Sequence, residues 1–173
     1  MHTSMSTVAL GTCTLMLRNL SHILAKGQAS AEARKIDPLV LTADRLAPDM
    51  FPLRRQVQIA CDAAKNGLAR LSGVEAPKFE DTEQSFEELR ARIDKTLAFI
   101  ATVPADRLDG TEDKDVTFPA GPDRTRTMKG FAYLTQRMLP NVYFHVTTAY
   151  AILRQDGVDV GKLDYLLGDQ PRS

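Results

Sequence analysis

One histidine with two polar neighbours on the same helical face is the feature of this sequence best suited to chemistry. In the stretch Pro140-Asn141-Val142-Tyr143-Phe144-His145-Val146-Thr147-Thr148-Ala149-Tyr150, Asn141 stands four residues before His145 and Thr148 three after it. Such spacings stack side chains along a helix. An imidazole placed there could ligate a metal, move a proton, or sit in the core with a satisfied hydrogen bond. Met138, Val142, His145, Ala149 and Ile152 step by four, three, four and three, which assigns His145 to an interior stripe. Asp49, Leu53, Gln56 and Ala60 form a comparable stripe earlier in the chain and offer Asp49 and Gln56 to the same cleft. Polar groups sunk into an apolar wall need partners, so these residues are expected to bond to one another or to water. Tyr143 completes the candidate cleft set, although Tyr143 and Tyr150 point to other faces and more ordinarily cover a core or a dimer surface. Arg54, Arg55 and Arg154 could take an anion if they reached the cleft mouth, whereas arginines on bundle helices are usually solvated.

Other chemistry finds little support. The sequence has no His-Glu-x-x-His, Glu-x-x-His, Gly-x-Ser-x-Gly or dinucleotide fingerprint. Gly157-Val158-Asp159-Val160-Gly161-Lys162 has too few residues between its glycines for a phosphate loop, and Leu163 follows the lysine. Cys13 and Cys61 are the two cysteines, without a Cys-x-x-Cys, and read as free thiols in a reducing compartment. His22 lies off the apolar stripe of its helix, beside Arg18 and Asn19, and is expected to be exposed.

The chain has 173 residues, 43% hydrophobic and 25% charged, with 22 basic and 22 acidic side chains. That balance, with no basic run, argues against a nucleic-acid or anionic-membrane partner. The apolar segment Val8–Leu17 has no preceding Lys or Arg and continues as helix. No stretch is expected to reach the ~18 apolar residues of a membrane span. A cytoplasmic location follows as the expectation.

These candidates must be held by helices. Leu10, Cys13, Leu17, Leu20 and Leu24 mark the first, expected to end near Lys26-Gly27. Prolines at 38, 48 and 52 give an irregular or short-helical connection, with Pro52 in the first turn of the second helix. That helix carries Leu53, Val57, Ala60, Ala64 and Leu71 and ends at Ser72-Gly73. Ser85 and Glu88 have capping-box spacing ahead of a third helix bearing Phe86, Leu89, Ile93, Leu97 and Ile100. Val116-Thr117-Phe118 and Thr125-Arg126-Thr127 flank a turn and predict one small hairpin. Helix resumes near Met128, is interrupted at Pro140, and ends at Asp156-Gly157. The pattern predicts an all-α, antiparallel four-helix bundle with one hairpin before the last helix, as a single domain over 1–173.

Three blocks carry a family resemblance: Leu46–Lys65 (LAPDMFPLRRQVQIACDAAK), Glu80–Ile93 (EDTEQSFEELRARI) and Leu139–Leu166 (LPNVYFHVTTAYAILRQDGVDVGKLDYL). The sequence resembles an uncharacterised branch, a domain of unknown function, of the DinB/YfiT-like helical-bundle superfamily of candidate metalloenzymes. The resemblance covers nearly the whole chain and implies the bundle fold.

It also implies what a metal site would need: one histidine from the second helix and two, four apart, from the last. His145 occupies a last-helix position of that kind, but Asn141 and Ala149 stand four residues to either side. The second helix has no histidine, and Gln56 and Asp49 are its nearest polar candidates. Catalytic zinc usually has three good protein ligands and an open position. The favoured expectation is therefore a degenerate site without metal, in a polar cleft around His145 that binds a small ligand. The alternatives are a metal-dependent hydrolase or thiol transferase holding zinc or nickel through His145, and a homodimeric interaction module. A homodimer is expected in any case. His145 is expected to titrate below an ordinary histidine because of burial, unless pairing with Asp49 reverses the sign.

Overall fold

Helix α1 (Met5–Ala33) opens the computed structural model, which describes residues 4–170. Ser4 caps it, accepting from the Thr7 amide at 3.2 Å. The helix runs past Lys26-Gly27, against the sequence expectation. Gly27 is not a cap: a Cβ there would lie 3.0 Å from the Phe86 ring and 3.1 Å from Leu153. The glycine serves close packing within the helix.

Helix α2 (Pro38–Ala43) is the short connection expected, with Asp37 as its cap. Helix α3 (Leu53–Ser72) begins directly after Pro52 and stops at Gly73, whose φ of 77° is left-handed. Helix α4 (Phe86–Thr102) carries the full Ser85/Glu88 capping box. The hairpin pairs β1 (Asp115–Pro119) with β2 (Thr125–Lys129) in antiparallel register, Thr117 opposite Thr127.

Met128 belongs to β2, so helix resumes slightly later than expected, as α5 (Gly130–Tyr133). The chain then passes through a π-helical turn (Leu134–Met138) into α6 (Leu139–Gln155) without leaving the helix. The Leu139 amide bonds to the Leu134 carbonyl, an i to i−5 link, just ahead of Pro140, which has no amide of its own. The wide turn accommodates Pro140 where the sequence suggested a break. Helix α7 (Lys162–Leu167) was not anticipated; its Asp164 accepts from the Gly161 amide at 2.7 Å.

The protein is thus mostly helical with one two-stranded hairpin. The four long helices α1, α3, α4 and α6 pack in a ring, α1 against α4 and α6, and α3 against the same two. The core between them includes Leu17, Leu20, Val57, Leu68, Ile93, Val142 and Ile152. Cys13 and Cys61 lie in it, and burial pushes both thiols up to about 12. By length and composition α1 is apolar enough to cross a membrane, with a window of mean hydropathy 1.2, contrary to the sequence expectation. Here its stripe packs against α4, α6 and α7. His22 is partly buried, its Nε2 lying 3.0 Å from Asp164 on α7.

Candidate functional site

Helices α3 and α6 meet through a polar link inside the apolar interface. His145 Nδ1 lies 2.7 Å from Gln56 Oε1, and Gln56 Nε2 donates to the Phe51 carbonyl at 2.9 Å. This relay fixes the chemistry of the ring. Because the Gln56 amide nitrogen is committed to Phe51, its oxygen faces the imidazole and Nδ1 must carry the proton. The Nε2 lone pair is left as an acceptor, with no protein hydrogen-bond partner among the described residues. Both side chains are buried, 8% exposed for His145 and 2% for Gln56. Burial lowers the histidine to about 4, and the guanidinium charges of Arg55 and Arg137 act in the same direction. His145 is a neutral imidazole at physiological pH.

The other sequence candidates distribute differently. Asn141, one turn before His145, lines an adjoining cleft of about 250 Å³. Thr148 is buried but turned back on its own helix, donating to the Phe144 carbonyl at 2.7 Å. Tyr143 lies 39% exposed on the outside of α6. Asp49 is exposed on the turn before α3 and does not share the helical stripe of Gln56. Pro52 starts that helix and pushes the preceding residue toward extended backbone, so helical phase does not extend back to residue 49. Phe144, expected beside His145, does contact it edge-on at 5.2 Å between ring centres, yet remains 57% exposed.

The cleft is walled by α3, β1 and the π turn, and its polar character comes from residues the sequence reading passed over. Asp62, Asn66 and Arg70 face it from α3, and Tyr133 and Arg137 from α5 and the π turn. Of the three arginines weighed from sequence, Arg55 lines this cleft and Arg54 and Arg154 do not. A readable signal existed: Tyr133, Arg137, Asn141 and His145 recur every four residues. Beneath the cleft, Arg92 is 1% exposed and reaches Asp62 at 3.1 Å, Asp81 at 2.9 Å and Glu83 at 3.0 Å. Lys65 also binds Asp62, at 3.1 Å.

Comparison with known proteins places this geometry in a family. The family described as "Domain of unknown function (DUF1993)" matches residues 5–166, nearly the full length. The chain belongs to the DUF1993 family. A crystal structure of a DinB family member protein from Shewanella denitrificans is similar at 40% sequence identity and a TM-score of 0.86, covering 97% of this chain and 94% of that one. DUF1993 is here a branch of the DinB-like superfamily, as the sequence blocks implied. Among curated proteins none matches.

In this DUF1993 chain the donors around the interior histidine are ill suited to a transition metal. One imidazole is backed by an amide, Gln56, at the α3 position nearest to it, and Asn141 adds a second amide. Amide oxygens are weak ligands for zinc or nickel. Asp49 is exposed on the turn before α3, and among the described residues no group of three His, Cys, Asp or Glu side chains could hold a metal ion.

Proposed function

We propose that this DUF1993 protein is an antiparallel four-helix-bundle binding protein that holds a small molecule in the polar cleft beside His145, without a catalytic metal. The Gln56–His145 bond carries the reading. Gln56 stands on α3, the helix from which the resemblance implies that a histidine ligand would come, and it uses His145 as a hydrogen-bond donor. The adjoining cleft supplies space, at about 250 Å³ slightly below the ~300–1,000 Å³ usual for drug-sized ligands.

Elemental analysis of protein purified without an affinity tag tests the proposal. The expected result is less than stoichiometric metal and a melting temperature unchanged by chelation. A stoichiometric metal that is lost in His145→Ala would overturn it. That outcome would favour the second reading, a metal-dependent hydrolase or thiol transferase. One observation speaks for this second reading: a carbonyl backing Nδ1 leaves Nε2 free, as in many metal-bound histidines. The homodimer expected from the resemblance belongs to the same proposal, and light scattering at micromolar concentration checks it.

A further inference from the structure

Three guanidinium groups converge on the cleft, and two of them have no counter-charge among the described residues. Arg55 is paired with Asp81. Arg70 donates to the Tyr133 hydroxyl at 3.2 Å, and Arg137 lies over the Phe118 ring at 5.6 Å. Among the described residues neither Arg70 nor Arg137 forms an ion pair with a carboxylate. The cleft wall contains one acid, Asp62, and its charge is already engaged from behind by Arg92 and Lys65, 1% and 4% exposed. The cleft is therefore electropositive and walled by protein, a setting in which field lines concentrate and an anion is favoured.

The neutral groups fit the same ligand. Asn66 and Asn141 enter the cleft from α3 and α6, and their side-chain amides make no protein hydrogen bond among the described residues. They supply further donors for oxygen atoms. Phe118 and Ile59 give the cleft an apolar side. Burial is the main cause of the lowered proton affinity of His145, and the charges of Arg55 and Arg137 add to it.

We propose that the cleft binds the oxyanion of a small organic acid, a carboxylate or a phosphate ester, between the guanidinium groups of Arg70 and Arg137, with its organic part against Ile59. The planar guanidinium fork matches both kinds of oxyanion in a way an ammonium does not. This assignment rests on the ligand-binding reading above and names its ligand class.

Titration of the full chain at pH 7, followed by NMR of the arginine Nε–H signals, tests the assignment with benzoate, phenyl phosphate and neutral benzamide as probes. Benzoate or phenyl phosphate is expected to shift the Arg70 and Arg137 signals saturably, and whichever of the two binds tighter identifies the source of the oxyanion. Arg137→Gln, a change at an exposed position, should weaken that probe at least about tenfold, as should Arg70→Gln. Three results would each overturn the assignment: benzamide binding as tightly as benzoate, unchanged affinity in both variants, or no saturation by either anion up to about 10 mM. The first two leave a binding cleft in place with a different ligand class. Failure of the metal-free reading would instead appear in the metal content, which this titration does not touch.

Discussion

His145 Nδ1 sits 2.7 Å from Gln56 Oε1, joining α6 to α3 beside the buried Val57, Ala60, Val142 and Val146. The bond satisfies the imidazole Nδ1–H and the amide oxygen together, because the Gln56 nitrogen is taken by the Phe51 carbonyl. A buried histidine in a helical bundle is therefore explained here by one amide in the facing helix. The same amide decides which ring nitrogen carries the proton.

Gln56→Ala should expose the value of that link. It leaves the Nδ1–H of a buried imidazole unpaired, a loss of about 1–3 kcal/mol. Urea denaturation of Gln56→Ala, His145→Ala and the double variant would measure it. The double variant is expected to be less destabilised than the two single losses added together, since once either partner is gone the bond cannot be lost again. Strict additivity would mean that the two residues contribute separately.

Stability should respond to pH through two opposing groups. His145 has its folded value lowered to about 4 from 6.5. Its contribution is present above about 6.5 and is lost as pH falls toward 4, with a slope near 1.4 kcal/mol per pH unit at most. Asp156 runs the other way: burial and the neighbouring Asp44 raise it from 3.8 to about 7. Its contribution is present below about 4 and is lost as pH rises through 7. Between pH 4 and 6.5 the two slopes oppose, so the unmodified protein should show a shallow profile. Asp156→Asn should uncover stability that rises with pH across that window. A direct NMR titration of the His145 ring should give a value near 4, and one above 6.5 would refute the desolvated, neutral imidazole.

Arg92 anchors the floor of the cleft. Its guanidinium is buried and bonded to Asp62, Asp81 and Glu83, and its Nε has no partner among the described residues. Arg92→Ala should cost about 1.5–3 kcal/mol, because the charged hydrogen bonds to Glu83 are lost, while the more exposed Asp62 and Asp81 keep Lys65 and Arg55. Chemical denaturation measures the loss. Arg92→Lys should recover only part of it, since an ammonium cannot span the same set of acceptors.

Much of the fold was legible because periodicity and caps are local signals. The Ser85/Glu88 box, the Ser72-Gly73 stop and the hairpin around residues 119–125 all appear where their residue types require. What escaped depends on contacts distant in sequence. Gly27 reads as a cap until Phe86 and Leu153 are seen against it, and His22 reads as exposed until α7 partly covers it. The site divides in the same way. His145, Gln56 and Asn141 were recognisable by helical spacing, whereas Asp49 was misplaced because Pro52 resets the helix. Arg70 and Arg137 could be ranked only once their lack of counter-charges was visible, and that is a property of the packed chain.

Gly130 should be among the least replaceable residues. It joins β2 to α5 at the edge of the cleft, and a Cβ there would lie 1.9 Å from the Thr111 carbonyl oxygen. The Phe131 amide bonds to the Glu112 carbonyl at 2.9 Å, which holds the two segments together and leaves the clash no simple escape. Gly130→Ala would gain up to about 1 kcal/mol of helix propensity. The overlap with backbone should outweigh that gain, with a net loss of about 2 kcal/mol or more. The accommodating shift would also move Tyr133 and Arg137, so weaker oxyanion binding should accompany the lower melting temperature. Gly11 in α1 is the control: nothing lies within 4 Å of a Cβ placed there, and Gly11→Ala should leave stability unchanged or raise it.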